Sequence, residues 1–275
     1  ALAAQGQGQL VGIVGEAGIG KSRLVAEILR LGAAQQFALY GGECESFGTN
    51  SSYLVWQPIW RGIFSIDSTW TPARQIYVLH TQLRELKPTF EARTPLLGAV
   101  LHLAIPDNSF TQALDPKLRK TLLEEFLANC LRLKAHKRPL LILLDACHWL
   151  DPLSYELLEA IALAIADLPV FVVCTYRLQE ETRVRVSRAS TLPHFTELSL
   201  APLTTAEAAH LIDLKVAALL GHATPLPPSL VEQITTQAEG NPFYLEELLT
   251  YLHYRGVDFQ SSTALAQVEL PDSLQ

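Results

Sequence analysis

The stretch Leu10-Val11-Gly12-Ile13-Val14-Gly15-Glu16-Ala17-Gly18-Ile19-Gly20-Lys21-Ser22 decides how the rest of the chain is read. Residues 10–14 form a short apolar run that stops at Gly15, as a buried parallel strand does. From Lys21 onward Leu24, Ile28 and Leu31 recur at helical spacing. Between this strand and this helix, residues 15–22 match G-x-x-x-x-G-K-S at every fixed position. Glycines let the backbone curl so that successive N–H groups point inward, an arrangement that suits phosphate oxygens. The helix beginning near Lys21 adds the positive end of its dipole. Lys21 brings a point charge to β- and γ-phosphates, and the Ser22 hydroxyl offers a ligand to Mg²⁺. The expected binding set is Gly15, Glu16, Ala17, Gly18, Ile19, Gly20, Lys21 and Ser22, with Arg23 in the same first turn.

A phosphate loop of this kind needs a carboxylate at the end of a neighbouring strand to hold Mg²⁺ through its water shell. Leu140-Leu141-Ile142-Leu143-Leu144-Asp145 has that form, and Asp145 is the expected metal residue. Where many such sites carry a second acid directly afterwards, to orient the attacking water, this chain has Ala146. Asp151 follows six residues on, but Asp151-Pro152 reads as a helix cap. Weak or absent hydrolysis with intact binding is the expectation. The next apolar run, Val170–Cys174, leads into Thr175-Tyr176-Arg177, and strand ends of a parallel sheet line the ligand crevice. Arg177 reads either as a γ-phosphate contact or as a solvated loop residue, with Arg183, Arg185 and Arg188 close behind. His148-Trp149 reads equally as crevice lining or as packing.

The chain has 275 residues, 49% apolar and 18% charged, with mean hydropathy +0.18. That suits a packed α/β protein and excludes a disordered one. Acidic residues outnumber basic ones, 28 to 21, so direct nucleic-acid binding is not expected. No apolar run approaches the roughly 18–20 residues of a membrane span. Four cysteines without a CxxC pair read as reduced thiols in a cytoplasmic protein. The histidines show no metal-ligand spacing, so no zinc site is expected. Methionine is absent, and the chain reads as an excerpt of something longer.

Strands alternating with helices predict a parallel sheet flanked by helices. Further strands are expected at Phe37–Tyr40, ended by Gly41-Gly42, and at Glu197–Leu200. Residues 43–114 are aromatic-rich, with Phe47, Tyr53, Trp56, Trp60, Phe64 and Trp70, and read as a helical insertion. Asp115-Pro116 and Asp151-Pro152 each open a helix, the second running to about Ala166. Beyond Pro202 only helices are expected. Thr204-Thr205-Ala206-Glu207 and Ser229-Leu230-Val231-Glu232 read as capping boxes. Gly240 ends a helix, Asn241-Pro242 starts another and Gly256 closes it. Glu246-Glu247 reads as a solvated pair on that last helix. The predicted division is a nucleotide-binding domain over 1–201, a helical domain over 202–257, and the start of a linker or next module over 258–275.

Taken together, GEAGIGKS, GECESFGTNSSYLVW, LLILLDACHWLDPLS, VVCTYR and EGNPFYLEELL resemble the signalling ATPases of the STAND class, related to AAA+ proteins. The closest likeness is to modules beside class III adenylate/guanylate cyclase domains or in large bacterial transcriptional regulators. The resemblance implies an α/β P-loop NTPase with a C-terminal helical lid, acting as a nucleotide-dependent switch on ATP/ADP and Mg²⁺. It also implies a nucleotide contact at Pro242, in the Gly240-Asn241-Pro242 segment. Catalytic roles fall to Lys21, Asp145 and Arg177. The implied partners are an output domain in the same longer chain, a cyclase or a DNA-binding domain, and further copies of the protein, with no membrane. Two rivals stand beside the switch: a small-molecule kinase with an acceptor pocket in 47–70, and an interaction scaffold that nucleotide merely stabilises.

Overall fold

The three central strands are apolar runs of six or seven residues, buried along most of their length, and pair side by side. Strand β1 (Gln9–Val14) runs parallel to β4 (Val170–Tyr176), with Gln9 opposite Phe171 and Val14 opposite Tyr176. β4 pairs in parallel with β3 (Leu140–Asp145), and β3 with β2 (Ala38–Glu43). With β5 (Phe195–Ser199) on the far side of β1, the order is β2-β3-β4-β1-β5. The computed structural model describes residues 2–46, 52–177, 189–222, 225–257 and 259. The chain divides into two units, Ala1–Val14 with Val25–Leu198, and Gly15–Leu24 with Ser199–Gln275.

In the first unit, helices flank the sheet. Helix α1 (Lys21–Ala34) follows β1, and the segment after β2 carries α2 (Trp56–Ile63), α3 (Pro72–Leu86) and the short α4 (Gly98–Leu101). Helix α5 (Pro116–Ala135) leads to β3, and α6 (Pro152–Ala164) connects β3 to β4. Both start as the Asp-Pro pairs predict. Asp115 accepts from the Leu118 N–H at 2.8 Å, Asp151 from the Ser154 N–H at 2.9 Å, and each proline needs no donor at its position. The 43–114 segment is largely helical, as expected; several of its aromatic residues are core, whereas Trp70 is half-buried and Tyr77 and Phe110 are exposed. Trp56, Trp60 and Phe64 are fully buried and Tyr53 nearly so. Phe47 lies outside the described residues.

Two strand ends differ from the sequence reading. β2 continues through Gly41-Gly42 to Glu43, and Gly42 admits a close neighbour: a Cβ there would sit 2.0 Å from the Val55 carbonyl oxygen. β4 extends to Tyr176, whose hydroxyl donates to Glu197 of β5 at 2.6 Å. Its phenol pKa is pushed well up, first by burial and then by that carboxylate.

The second unit holds α7 (Thr205–Leu220), α8 (Pro228–Gln237) and α9 (Pro242–Tyr254). Ala208, Ile212, Val216, Leu230, Ile234, Leu245, Leu248, Leu249 and Leu252 form its core. The capping box at Thr204 and Glu207 is present in both directions. The one expected at Ser229 is not. Helix α8 begins two residues earlier than that cap implies, at Pro228 after Pro227, so Ser229 already lies inside the first turn. Gly240 and Gly256 take left-handed backbone, φ +70° and +69°, after α8 and α9. Residues 260–275 lie outside the described residues.

Candidate nucleotide-binding site

Chemistry-bearing residues gather at two places, one in each unit. In the second unit, residues 15–20 form a loop that turns through Gly18 (φ +76°) and Gly20 (φ +102°) into α1. The Gly20 carbonyl accepts from the Arg23 and Leu24 N–H groups, both at 3.1 Å, so the amides of Lys21 and Ser22 precede the first intrahelical bonds. Lys21 Nζ donates to the carbonyls of Gly15 (2.8 Å) and Glu16 (2.7 Å), which turns the ammonium back over the loop. Glu16, Ala17, Ser22 and Arg23 are exposed, whereas Gly15 and Ile19 are buried and hold the loop down. A Cβ placed on Gly20 would meet nothing within 4 Å, so the loop is open there. Backbone amides, a lysine ammonium and a helix start make a donor set that fits a polyphosphate.

The helical part of this unit reaches the same loop. Asn241 caps α9 by accepting the Phe243 N–H (3.1 Å), and its Nδ2 donates to the Ala17 carbonyl at 2.9 Å. The Phe243 N–H also points at the Gly18 carbonyl, 3.3 Å away. Pro242 follows at the first position of α9 and is half-buried. Glu246, expected to be solvated, pairs with Arg23 at 3.5 Å and Lys215 at 3.7 Å.

In the first unit, Asp145 ends β3 at the carboxyl edge of the sheet, half-buried. It is not on the strand next to β1: β4 lies between. That intervening strand supplies a residue the sequence reading passed over. Thr175, 1% exposed, donates its hydroxyl to Asp145 Oδ1, and the Ala146 N–H donates to both Asp145 Oδ1 and Thr175 Oγ1 at 3.0 Å. Both donors fall on Oδ1, so one carboxylate oxygen is fixed from within the protein. A polar residue inside the apolar run 170–176 was the signal available for Thr175.

Ala146 holds left-handed backbone, φ +56°, which turns the chain into the 3-10 segment Cys147–Trp149. Trp149 is 40% exposed, and the His148 ring lies tilted by 44° against it with centroids 5.2 Å apart. Arg177 is exposed beyond the end of β4, and Arg183, Arg185 and Arg188 lie outside the described residues. The Cys147 thiol is pushed up by burial, then by the neighbouring Cys174 and Cys44 thiols. The Asp145 carboxylate in the first unit and the Ser22 hydroxyl in the second are each of the oxygen type that suits a hard cation such as Mg²⁺.

Residues 2–173 match the family model of the AAA ATPase domain, and the chain belongs to that family. Nucleotide binding goes with that membership. An uncharacterized protein of Rhizobium meliloti (strain 1021) is 28% identical over 249 residues, 90% of this chain and 23% of that protein. Among solved structures, the Walker-type ATPase of Pyrococcus abyssi is 15% identical with TM-score 0.45, over 92% of this chain and 65% of that one. A Signal Transduction ATPase with Numerous Domains from Pyrococcus horikoshii, bearing a tetratricopeptide repeat sensor, is 16% identical with TM-score 0.43, over 94% and 31%. Cdc6p from Pyrobaculum aerophilum is 12% identical with TM-score 0.47, over 93% and 59%. The chain thus spans less than two thirds of each of these proteins. Among the described residues, no helix is long and apolar enough to cross a membrane.

Proposed function

We propose that this chain is an ATP- and Mg²⁺-binding regulatory switch module of a longer signalling protein, with weak or absent hydrolysis. One observation carries the reading: the loop offers a complete phosphate-binding donor set, while the residue after Asp145 is alanine, held in left-handed backbone. Lys21 and the loop amides bind the phosphates, and Pro242 contacts the nucleotide. Ser22 and Asp145 hold the metal, which neutralises phosphate charge when bound. Arg177 answers to the γ-phosphate. Thr175 orients Asp145, and no carboxylate follows at position 146 to draw a proton from water. The domain reading is 1–201 for the nucleotide-binding part, 202–257 for a helical lid and 258–275 for the start of the next module. The lid's differential affinity for nucleotide-bound states shifts the population seen by an output domain or a second copy. Four buried free cysteines support a reducing, cytoplasmic setting.

The test is calorimetric titration of ATP with Mg²⁺ into the protein and its Lys21→Ala variant, together with identification of the nucleotide released on denaturation. Lys21→Ala should abolish measurable affinity; unchanged affinity overturns the reading. Intact ATP in the released fraction fits a site that binds without cleaving. Turnover of several per second by the unsubstituted protein would show that a second acid at 146 is not needed. Ala146→Asp, whose side chain tolerates left-handed backbone, should raise turnover at least tenfold.

A further inference from the structure

We infer that Asn241 is a positioning residue that orients two peptide planes of the phosphate loop and so sets how long nucleotide stays bound. The inference rests on the reading of residues 15–22 as the nucleotide site. Asn241 is 7% exposed and uses both ends of its carboxamide: Oδ1 accepts the Phe243 N–H at 3.1 Å, and Nδ2 donates to Ala17 O at 2.9 Å. The Phe243 N–H is shared with Gly18 O at 3.3 Å. Two consecutive loop carbonyls are thereby drawn toward the start of α9. A trans peptide is planar, with its C=O and the next N–H pointing in opposite directions. Turning Ala17 O and Gly18 O toward α9 therefore turns the Gly18 and Ile19 N–H groups away from it.

The approach is close enough to restrict the loop. A Cβ on Gly18 would lie 2.8 Å from both Asn241 Oδ1 and Phe243 Cβ, and Gly18 holds φ +76°. Asn241 itself is anchored by its backbone. Its N–H donates to Ala238 O at 2.8 Å, and the preceding Gly240 carbonyl accepts from Leu203 at 2.8 Å. Glycine at 18 thus serves the contact with α9 as well as the curvature of the loop. By reciprocity, nucleotide that favours this loop shape also favours the Asn241 contact, so ligand should protect α9.

Two variants separate this role from helix capping. Asn241→Ser keeps an N-cap oxygen and is neutral, but its side chain is too short to reach Ala17. Asn241→Asp keeps the cap at full length and lacks the donor. The readouts are the dissociation rate of a fluorescent ADP analogue and hydrogen exchange of α9 with and without ADP. Both variants should melt within a few degrees of the parent yet release ADP about tenfold faster, the loss of one hydrogen bond of roughly 1.4 kcal/mol. Nucleotide-dependent protection of α9 should vanish in both. Parental release rates with retained protection overturn the inference while leaving the nucleotide site intact. If the unsubstituted protein binds no ADP, as Lys21→Ala should not, it is the underlying functional reading that fails.

Discussion

Replacing Thr175 by valine isolates the bond that fixes the Asp145 carboxylate. Valine has nearly the same shape, and the site is 1% exposed, so the substitution leaves little cavity. What disappears is the hydroxyl that donates to Asp145 Oδ1 and accepts from the Ala146 N–H at 3.0 Å. The amide is not orphaned, because it keeps Asp145 Oδ1 at 3.0 Å. Two hydrogen bonds are lost, but the amide keeps its second acceptor, so the cost is chiefly that of the bond to the carboxylate, about 1.5–3 kcal/mol, lessened by burying a methyl in place of a hydroxyl. Taking about 2 kcal/mol, and roughly 2–4 °C per kcal/mol for a domain of this size, the midpoint of thermal unfolding should fall by about 4–8 °C. Circular dichroism melts of Thr175→Val, Asp145→Asn and the double variant form a cycle. A coupling energy of at least about 1 kcal/mol is expected for groups in direct contact. A midpoint within 1 °C of the parent for Thr175→Val, or strict additivity in the cycle, would refute the assignment of Thr175 as the anchor of Asp145.

Trp56 and Trp60 are both fully buried, but the Trp56 indole donates to Ser154 O at 3.0 Å whereas, among the described residues, Trp60 Nε1 has no hydrogen-bond partner. Trp56→Phe should therefore destabilise more than Trp60→Phe, by about 1 kcal/mol in urea unfolding, and equal costs would contradict this. All four thiols are buried, and desolvation pushes Cys130 up to about 12, so a disulfide reagent at pH 8 should find almost none in the native protein and four after denaturation. One thiol reacting within seconds in native buffer would count against that burial. The Glu207 carboxyl is held below its ordinary 4.5 by the Thr204 N–H and then by the Thr204 hydroxyl. Its contribution is present above the unfolded value and lost as pH falls through the lower folded one. Glu207→Gln, which removes the titrating carboxyl, should thus flatten the acid limb of unfolding of the helical unit below about pH 4.5, and an unaltered limb would show that the capping box adds no acid-sensitive stability.

Local signals in the sequence carried much of the fold. The phosphate loop, the Asp115, Asp151 and Thr204 caps, and the apolar runs ending at Val14 and Asp145 were legible because each depends on residues within one turn or one strand. Ser229 misled for the same reason. A capping pattern is local, and Pro227-Pro228 set the helix start two residues earlier. Gly41-Gly42 looked like a strand end because the need for glycine there comes from Val55, thirteen residues beyond Gly42.

The candidate site divides along the same line. The sequence by itself named the groups proposed to meet phosphate and metal: the loop glycines, Lys21, Ser22 and Asp145, with alanine at 146. Only the tertiary structure decided that β4 separates β3 from β1, so that Thr175 meets Asp145 thirty residues away, and that Asn241 grips Ala17 across 224 residues. Backbone propensity and side-chain chemistry are written residue by residue. Strand order and long-range hydrogen bonds arise when the whole chain buries its apolar surface and must then satisfy every polar group left inside.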